Sequence, residues 1–284
     1  MNYYTRFRVF VLVFLFIVNG FIWYAVYGEE RGHLTVTFLD VGQGDAIFIQ
    51  APNGNQMLID GGKGKAVLSQ LSKVMPLYDK SINIVLATHP DADHIGGLPS
   101  VFEHFNIKTF IEPGVSSDTA IYKTLGKSVA NEGAKKILAR RGMKINLGSG
   151  VSFLVLFPDR DVTDFETNTA SIVGILTYEE SSFLLTGDSP KEIENYLTFL
   201  NATGVDVDVL KAGHHGSKTS TGKAFVSATS PDYAVISAGE NNSYGHPHAE
   251  VLQTLSDFGA QIVRTDEMGT IIFTSDGGEP VLAN

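Results

Sequence analysis

Apolar residues in this chain recur with two rhythms. Short runs rich in Val, Ile, Leu and Phe, bounded by Gly, Asn or Asp, predict strands over 34–40, 46–50, 57–60, 84–89, 108–111, 144–147, 151–157, 171–178, 182–186, 205–210, 233–237, 261–264 and 270–274. Helical spacing predicts helices over 65–74, 95–105, 118–141, 222–228 and 249–258, with one more starting at Pro190. Asn53-Gly54 marks one hairpin and Glu179-Glu180 another. Runs such as Ile84-Val85-Leu86-Ala87 are apolar on both faces, as a strand covered on both sides requires. Hairpins come first and then alternate with helices, twice over. That order predicts an α/β fold of two mixed sheets packed face to face, with helices on both outer sides.

The N-terminus breaks this pattern. Residues 9–27 are apolar except at Asn19-Gly20, with Arg6 and Arg8 before them and Glu29, Glu30 and Arg31 after. The run is long enough to cross a bilayer. The basic flank predicts the N-terminus inside and the rest of the chain outside. Trp23-Tyr24 near the far end suits an interfacial belt and favours an uncleaved anchor. Val26 and Gly28 also permit a signal-peptide cleavage site, which would leave a secreted protein. The expected organisation is an anchor or signal over 1–31 and one catalytic domain over 32–284.

Composition changes this picture in two ways. Among 284 residues there is no cysteine, which excludes disulfides, Cys-ligated zinc and a Cys nucleophile. The net charge of −10 argues against a broad basic nucleic-acid surface, although bound cations would reverse the sign locally.

The chemistry concentrates in Thr88-His89-Pro90-Asp91-Ala92-Asp93-His94, followed by Ile95-Gly96-Gly97. Unpaired carboxylates this close repel each other, and a divalent cation removes the repulsion. Other ligand-type residues also fall just after predicted strands: Asp60, Asp188, His214-His215 and His246. Strand ends converging on one edge are what a single site requires.

These residues resemble the metallo-β-lactamase superfamily, whose signature His-x-His-x-Asp-His is matched by His89, Asp91, Asp93 and His94, followed by Asp188 and then His214 or His215. Asp91 stands where most members have a second His, and no His lies between Val151 and Ser171, where a third is usual. The stretch Phe38-Leu39-Asp40-Val41-Gly42-Gln43-Gly44-Asp45-Ala46 is similar to the opening motif of the ComEC-type competence branch, as are residues 168–171, 184–188, 214–217 and 244–247. The resemblance implies an αββα sandwich and a nuclease domain of the kind attached to a DNA-uptake channel, with two divalent metal ions, zinc favoured and manganese possible. His89 and Asp91 would serve metal 1. Asp93, His94 and His214 would serve metal 2, with His215 as the alternative to His214. Asp188 would bridge, although an Asp before Pro190 also reads as a helix cap.

Two metals sharing a carboxylate lower the pKa of a water between them and polarise a phosphoryl oxygen. Asp93, Lys211 and His246 are the candidate catalytic groups, Lys211 and His246 for leaving-group protonation or phosphate contact. Asn168, Ser171, Ser217, Tyr244 and His246 are candidate substrate contacts. Asp40 and Asp60 are expected to orient ligands or shape turns. The expected activity is hydrolysis of DNA, single-stranded first, outside the membrane, with a separate channel protein as a possible partner. Hydrolysis of a small phosphodiester or carboxylic ester, or a catalytically weak DNA-binding module, are the competing readings.

Overall fold

The computed structural model describes residues 2–28, 32–200 and 205–283. Helix α1 (Tyr3–Gly28) leads the chain, and the apolar stretch Tyr3–Trp23 within it has a mean hydropathy of 1.9 with none of that window buried. Its length and composition fit a membrane span and a signal sequence alike. Glu29, Glu30 and Arg31, where the anchor is expected to end, lie outside the described residues.

From Leu34 the chain runs β1 (Leu34–Phe38), β2 (Ile47–Gln50), β3 (Gln56–Ile59), α2 (Ala66–Val74), β4 (Ser81–Leu86), α3 (Ala92–Ile95), α4 (Leu98–His104), β5 (Asn106–Glu112), α5 (Ala120–Glu132) and β6 (Lys135–Leu138). It continues through β7 (Lys144–Gly148), β8 (Val151–Phe157), β9 (Val173–Tyr178), β10 (Ser181–Leu185), α6 (Lys191–Leu200), β11 (Val209–Lys211), α7 (Lys223–Thr229) and β12 (Tyr233–Ile236). It ends with α8 (Ala249–Asp257), β13 (Gln261–Arg264), α9 (Thr265–Met268), β14 (Ile271–Ser275) and β15 (Val281–Leu282). One sheet has the order β15-β14-β1-β2-β3-β4-β5-β6 and the other β13-β12-β11-β10-β9-β8-β7.

Each sheet joins hairpins to parallel strands. β1, β2 and β3 pair antiparallel, then β3 to β6 pair parallel. β7 to β10 pair antiparallel, then β10 to β13 parallel. Strand alternation divides the apolar side chains between layers. Ile47 and Ile49 of β2 and Phe183 and Leu185 of β10 meet between the sheets. Phe48 packs outward with Val67, Leu71 and Leu98 under α2 and α4, and Leu184 packs outward with Ile193, Phe225 and Val251 under α6, α7 and α8. This is the expected αββα sandwich, with both faces of the central strands covered.

Several elements differ from the sequence reading. The helix expected over 95–105 is two, α3 and α4, divided at Gly96-Gly97. A side chain on Gly96 would meet the Lys63 carbonyl and one on Gly97 the Gly61 carbonyl, so only glycine lets the 61–64 turn press on the ligand loop. The helix expected over 118–141 stops at Glu132, where Gly133 adopts φ 71°, and Lys135–Leu138 becomes the edge strand β6. The polar residues read as an exposed helix face are instead those of a guarded sheet edge. β11 starts at Val209 rather than 205, and α9 and β15 were too short to give a periodic signal.

Candidate metal centre

The site forms where β3, β4, β10, β11 and β12 end on one rim of the sandwich. β3 delivers Asp60, which is fully buried. Its carboxylate accepts from the Thr88 N–H at 2.8 Å, the Thr88 hydroxyl at 2.7 Å and His94 Nδ1 at 2.8 Å. Those bonds fix the His94 ring with Nε2 facing the cluster. Asp60 therefore fixes the orientation of the His94 imidazole. Asp40 does not: its Oδ1 accepts from the Gly42 N–H at 3.1 Å and shapes the turn, with no imidazole contact among the described residues.

The other imidazoles are held the same way. His89 Nδ1 lies 3.0 Å from Thr88 Oγ1, and His215 Nδ1 lies 2.9 Å from the Ser237 carbonyl. Their Nε2 atoms point inward. His89 Nε2 is 3.8 Å from Asp91 Oδ2 and 4.0 Å from Asp188 Oδ2. His94 Nε2 is 3.2 Å from Asp188 Oδ1. His215 Nε2 is 3.5 Å from Asp188 Oδ2 and 3.6 Å from Asp93 Oδ2. All three Nε2 atoms and Asp188 Oδ1 are buried without a hydrogen-bond partner. Buried polar atoms are rarely left so, and a shared cation would satisfy all four. The residues present thus fit a divalent metal centre grouped around Asp188. The cap reading of Asp188 is not met, since α6 starts at Lys191 and the carboxylate faces the imidazoles.

Of the two histidines expected at metal 2, His214 and His215, the second is the buried one. His215 is 1% exposed and lies between Asp93 and Asp188. His214 stands at the rim, its side chain 27% exposed, with Nε2 3.6 Å from Asp188 and Nδ1 3.1 Å from Thr219 Oγ1. Both histidines adopt positive φ, 49° and 55°. The turn is tied by the His214 N–H donating to the Gly187 carbonyl at 3.2 Å and the Gly213 N–H donating to the Thr221 hydroxyl at 3.2 Å, while the buried Glu194 carboxylate accepts from the Thr221 N–H at 2.6 Å and the Gly222 N–H at 2.9 Å. Burial lifts Glu194 to about 7 despite those donors.

Lys211 does not reach the open site. It is fully buried, its ammonium 2.5 Å from Asp45 Oδ2 and 3.3 Å from the Gly187 carbonyl. Asp45 went unassigned in the sequence, where it reads as part of a turn. A carboxylate leading into the apolar strand Ile47–Gln50 has no water to face and needs a partner, and that was the available signal. Asp45, His94, Asp188 and His215 each offer a ligand atom within 4.8 Å of the others. Asp45, however, faces the Nδ1 sides of His215 (3.4 Å) and His94 (3.9 Å), opposite Asp188, and is neutralised by Lys211. It is a support behind the imidazoles rather than a ligand. Gly44 seats this turn directly on the Asp93 carbonyl, leaving no room for a side chain.

The charges interlock. Burial depresses His89 to about 3, helped by His94 beside it. Burial is the largest single influence on His94 and His215 and opposes their charged forms, but the carboxylates together outweigh it: Asp188 with Asp60 holds His94 well above its usual range, and Asp188 with Asp45 and Asp93 raises His215 to about 9. Asp188 is held well below the usual carboxylate range against burial, mainly by His215 and His94. Asp45 is lowered against burial by Lys211. In the metal-free chain, protons on two imidazoles do what a divalent ion would do, and metal uptake must displace them.

The remaining candidates line the rim. Asp91 is 40% exposed and Asp93 27%. Tyr244, 60% exposed, stacks on His246 with centroids 5.7 Å apart and planes at 22°. His246 lies 5.6 Å from His214, ring to ring, and burial with the neighbouring histidines lowers it to about 4. Ser217 Oγ accepts from the Thr219 hydroxyl at 2.9 Å and stiffens the histidine loop. Ser171 sits beside Thr88 and Gly187, and Asn168 lies in the turn that precedes it; Asn168 Oδ1 and Ser171 Oγ are buried and unpartnered.

The family model of the metallo-beta-lactamase superfamily matches residues 39–240. ComE operon protein 3 of Bacillus subtilis is 34% identical over 83% of this chain and 32% of its own length. Competence protein ComA of Neisseria gonorrhoeae is 27% identical over 90% of this chain and 34% of its own. The chain thus spans about a third of the curated relatives it matches. A metallo hydrolase of Ignicoccus hospitalis shares the fold, with a TM-score of 0.53 at 16% identity over 88% of this chain and 99% of that one. The chain belongs to the metallo-beta-lactamase superfamily and, within it, to the ComEC-type competence branch.

Proposed function

We propose that this metallo-hydrolase is a phosphodiesterase that cuts DNA, single strands first, on the outer side of a membrane to which α1 tethers it. The observation that carries the reading is the set of unpartnered Nε2 atoms on His89, His94 and His215 around Asp188. The likeness to competence proteins supports DNA as the substrate class. His89 and Asp91 would hold one divalent ion and Asp93, His94 and His215 another, with Asp188 available to both; zinc or manganese bound there would supply a water of lowered pKa and neutralise phosphoryl charge.

The chain's own groups do the rest. Asp60 and Asp45 fix the imidazole rings from behind. His246, neutral at pH 7 because burial lowers it to about 4, hydrogen-bonds a phosphoryl oxygen and does not serve as a strong acid. Tyr244 offers a face on which a nucleobase stacks. Lys211 acts through Asp45 and not on the substrate. Partnership with a separate DNA-uptake channel is part of the same proposal.

The test uses the full chain in detergent, metal-stripped and then resupplied with Mn²⁺ or Zn²⁺. Single-stranded oligonucleotide should be cut only with metal, and Asp93→Ala should abolish cutting. Turnover of small aryl esters with DNA untouched would favour the ester reading. DNA binding with no cleavage under either metal would favour a binding module.

A further inference from the structure

The two halves of the centre are unequally furnished. Around the Asp188 carboxylate, one half holds the imidazoles of His94 and His215 and the carboxylate of Asp93. The other half holds one buried imidazole, His89, and the half-exposed Asp91. A cation there would want further protein donors.

The 3₁₀ turn Asn168–Ala170, with Ser171 after it, lies against that poorer half. The Ile172 N–H donates to the Thr88 carbonyl at 3.0 Å, which sets Ser171 beside the residue that precedes His89. A side chain on Gly187 would stand 3.0 Å from Thr88 Cβ and 3.3 Å from Ser171 Cβ, so Ser171 also abuts the residue that precedes Asp188. At the other end of the turn, Thr167 hydrogen-bonds Asp91. The turn thus borders all three residues of the His89 half.

It brings two oxygens with nothing to bind. Ser171 is fully buried and its Oγ has no hydrogen-bond partner; Asn168 Oδ1 is buried and likewise unpartnered. Such groups are normally satisfied. Neither is needed to hold the turn, whose backbone bonds run from Ala170 N to the Glu166 and Thr167 carbonyls and from Ser171 N to the Asn168 carbonyl.

Resting on the metal-centre reading, we propose that Ser171 Oγ and Asn168 Oδ1 are cation ligands of the His89 half, making it an oxygen-rich site that selects Mn²⁺ or Mg²⁺, while the His94–His215 half selects Zn²⁺. Carboxylate, amide carbonyl and hydroxyl oxygens with a single imidazole suit hard cations. Two imidazoles with carboxylates suit zinc. The centre is therefore built to hold two different metals.

The test is metal binding by the full chain in detergent. Metal-stripped protein is loaded with one equivalent of Zn²⁺, then titrated with Mn²⁺ while free Mn²⁺ is read by electron paramagnetic resonance and bound Zn²⁺ by mass spectrometry. Wild type should keep its zinc and bind one Mn²⁺. Ser171→Ala should weaken Mn²⁺ binding by about 10-fold or more with zinc retained. Asn168→Asp, which adds a charge at the same place, should tighten Mn²⁺ binding by a similar factor, a gain that misfolding cannot mimic. Wild-type Mn²⁺ binding in both variants would overturn the proposal and leave the metal-centre reading intact. Failure of wild type to bind either metal would overturn both.

Discussion

The floor and the rim of this centre are built on different principles. On the floor, Asp45, Asp60, Lys211, His94 and His215 are at most 1% exposed, and each is locked by a charged or backbone partner. On the rim, Asp91, His214, Tyr244 and His246 are partly open and touch one another mainly through ring faces. The floor has few ways to move, as a site that must present three Nε2 atoms to one carboxylate requires. The rim has room for a substrate to compete for its contacts. Substitutions in the floor should therefore act through metal and stability, and those in the rim through substrate.

Asp188 is the strongest point at which to break this division. Asp188→Ala should cost roughly 10³–10⁴-fold in turnover, about 4–5.5 kcal/mol, because both halves lose their shared ligand. Steady-state rates at saturating metal check it. Lys211→Met leaves Asp45 buried and unpaired, and should cost roughly 3–5 kcal/mol of stability, read by denaturant unfolding. Asp60→Asn keeps the shape of the floor but removes the negative charge behind His94. Metal affinity should fall about 10–100-fold, measured by competition with a chromophoric chelator.

The pH dependence sharpens the same contrast. The raised folded values of His94 and His215 stabilise the metal-free chain fully below the unfolded histidine value of 6.5, and the His215 part is lost as pH rises through about 9. Metal binding requires the same imidazoles deprotonated, so stabilisation by metal runs the other way and grows with pH. Between pH 6.5 and 9, the melting temperature of metal-free chain should fall by roughly 5–10 °C, while the increment from saturating metal should rise. Parallel slopes with and without metal would contradict the assignment of these rings. The smallest effect belongs to the rim: Tyr244→Ala should raise KM for single-stranded DNA about 5–30-fold, with kcat and metal content unchanged.

Much of this was legible in the residues, for reasons that differ by element. The strands could be read because their apolar runs are covered on both faces, and the ligand loop because His89, Asp91, Asp93 and His94 cluster where no core needs them. The choice between His214 and His215 was not legible. They are adjacent, and which one turns inward depends on two consecutive left-handed backbones in a turn tied to the Gly187 carbonyl from another part of the chain. Asp45 was passed over and Lys211 misread because their bond joins residues far apart in the chain, and a lysine after a strand looks the same from the sequence whether it faces substrate or a buried acid. β6 was hidden by polar residues that suit a sheet edge as well as a helix surface.

The most direct measurement is anomalous diffraction from crystals of the metal-loaded chain, recorded at the zinc and manganese edges. The account predicts density beside Asp188, within bonding reach of the Nε2 atoms of His89 on one side and of His94 and His215 on the other. Density instead on the Nδ1 side, between Asp45 and His215, or at the exposed His214–His246 rim with the three Nε2 atoms unligated, would contradict it.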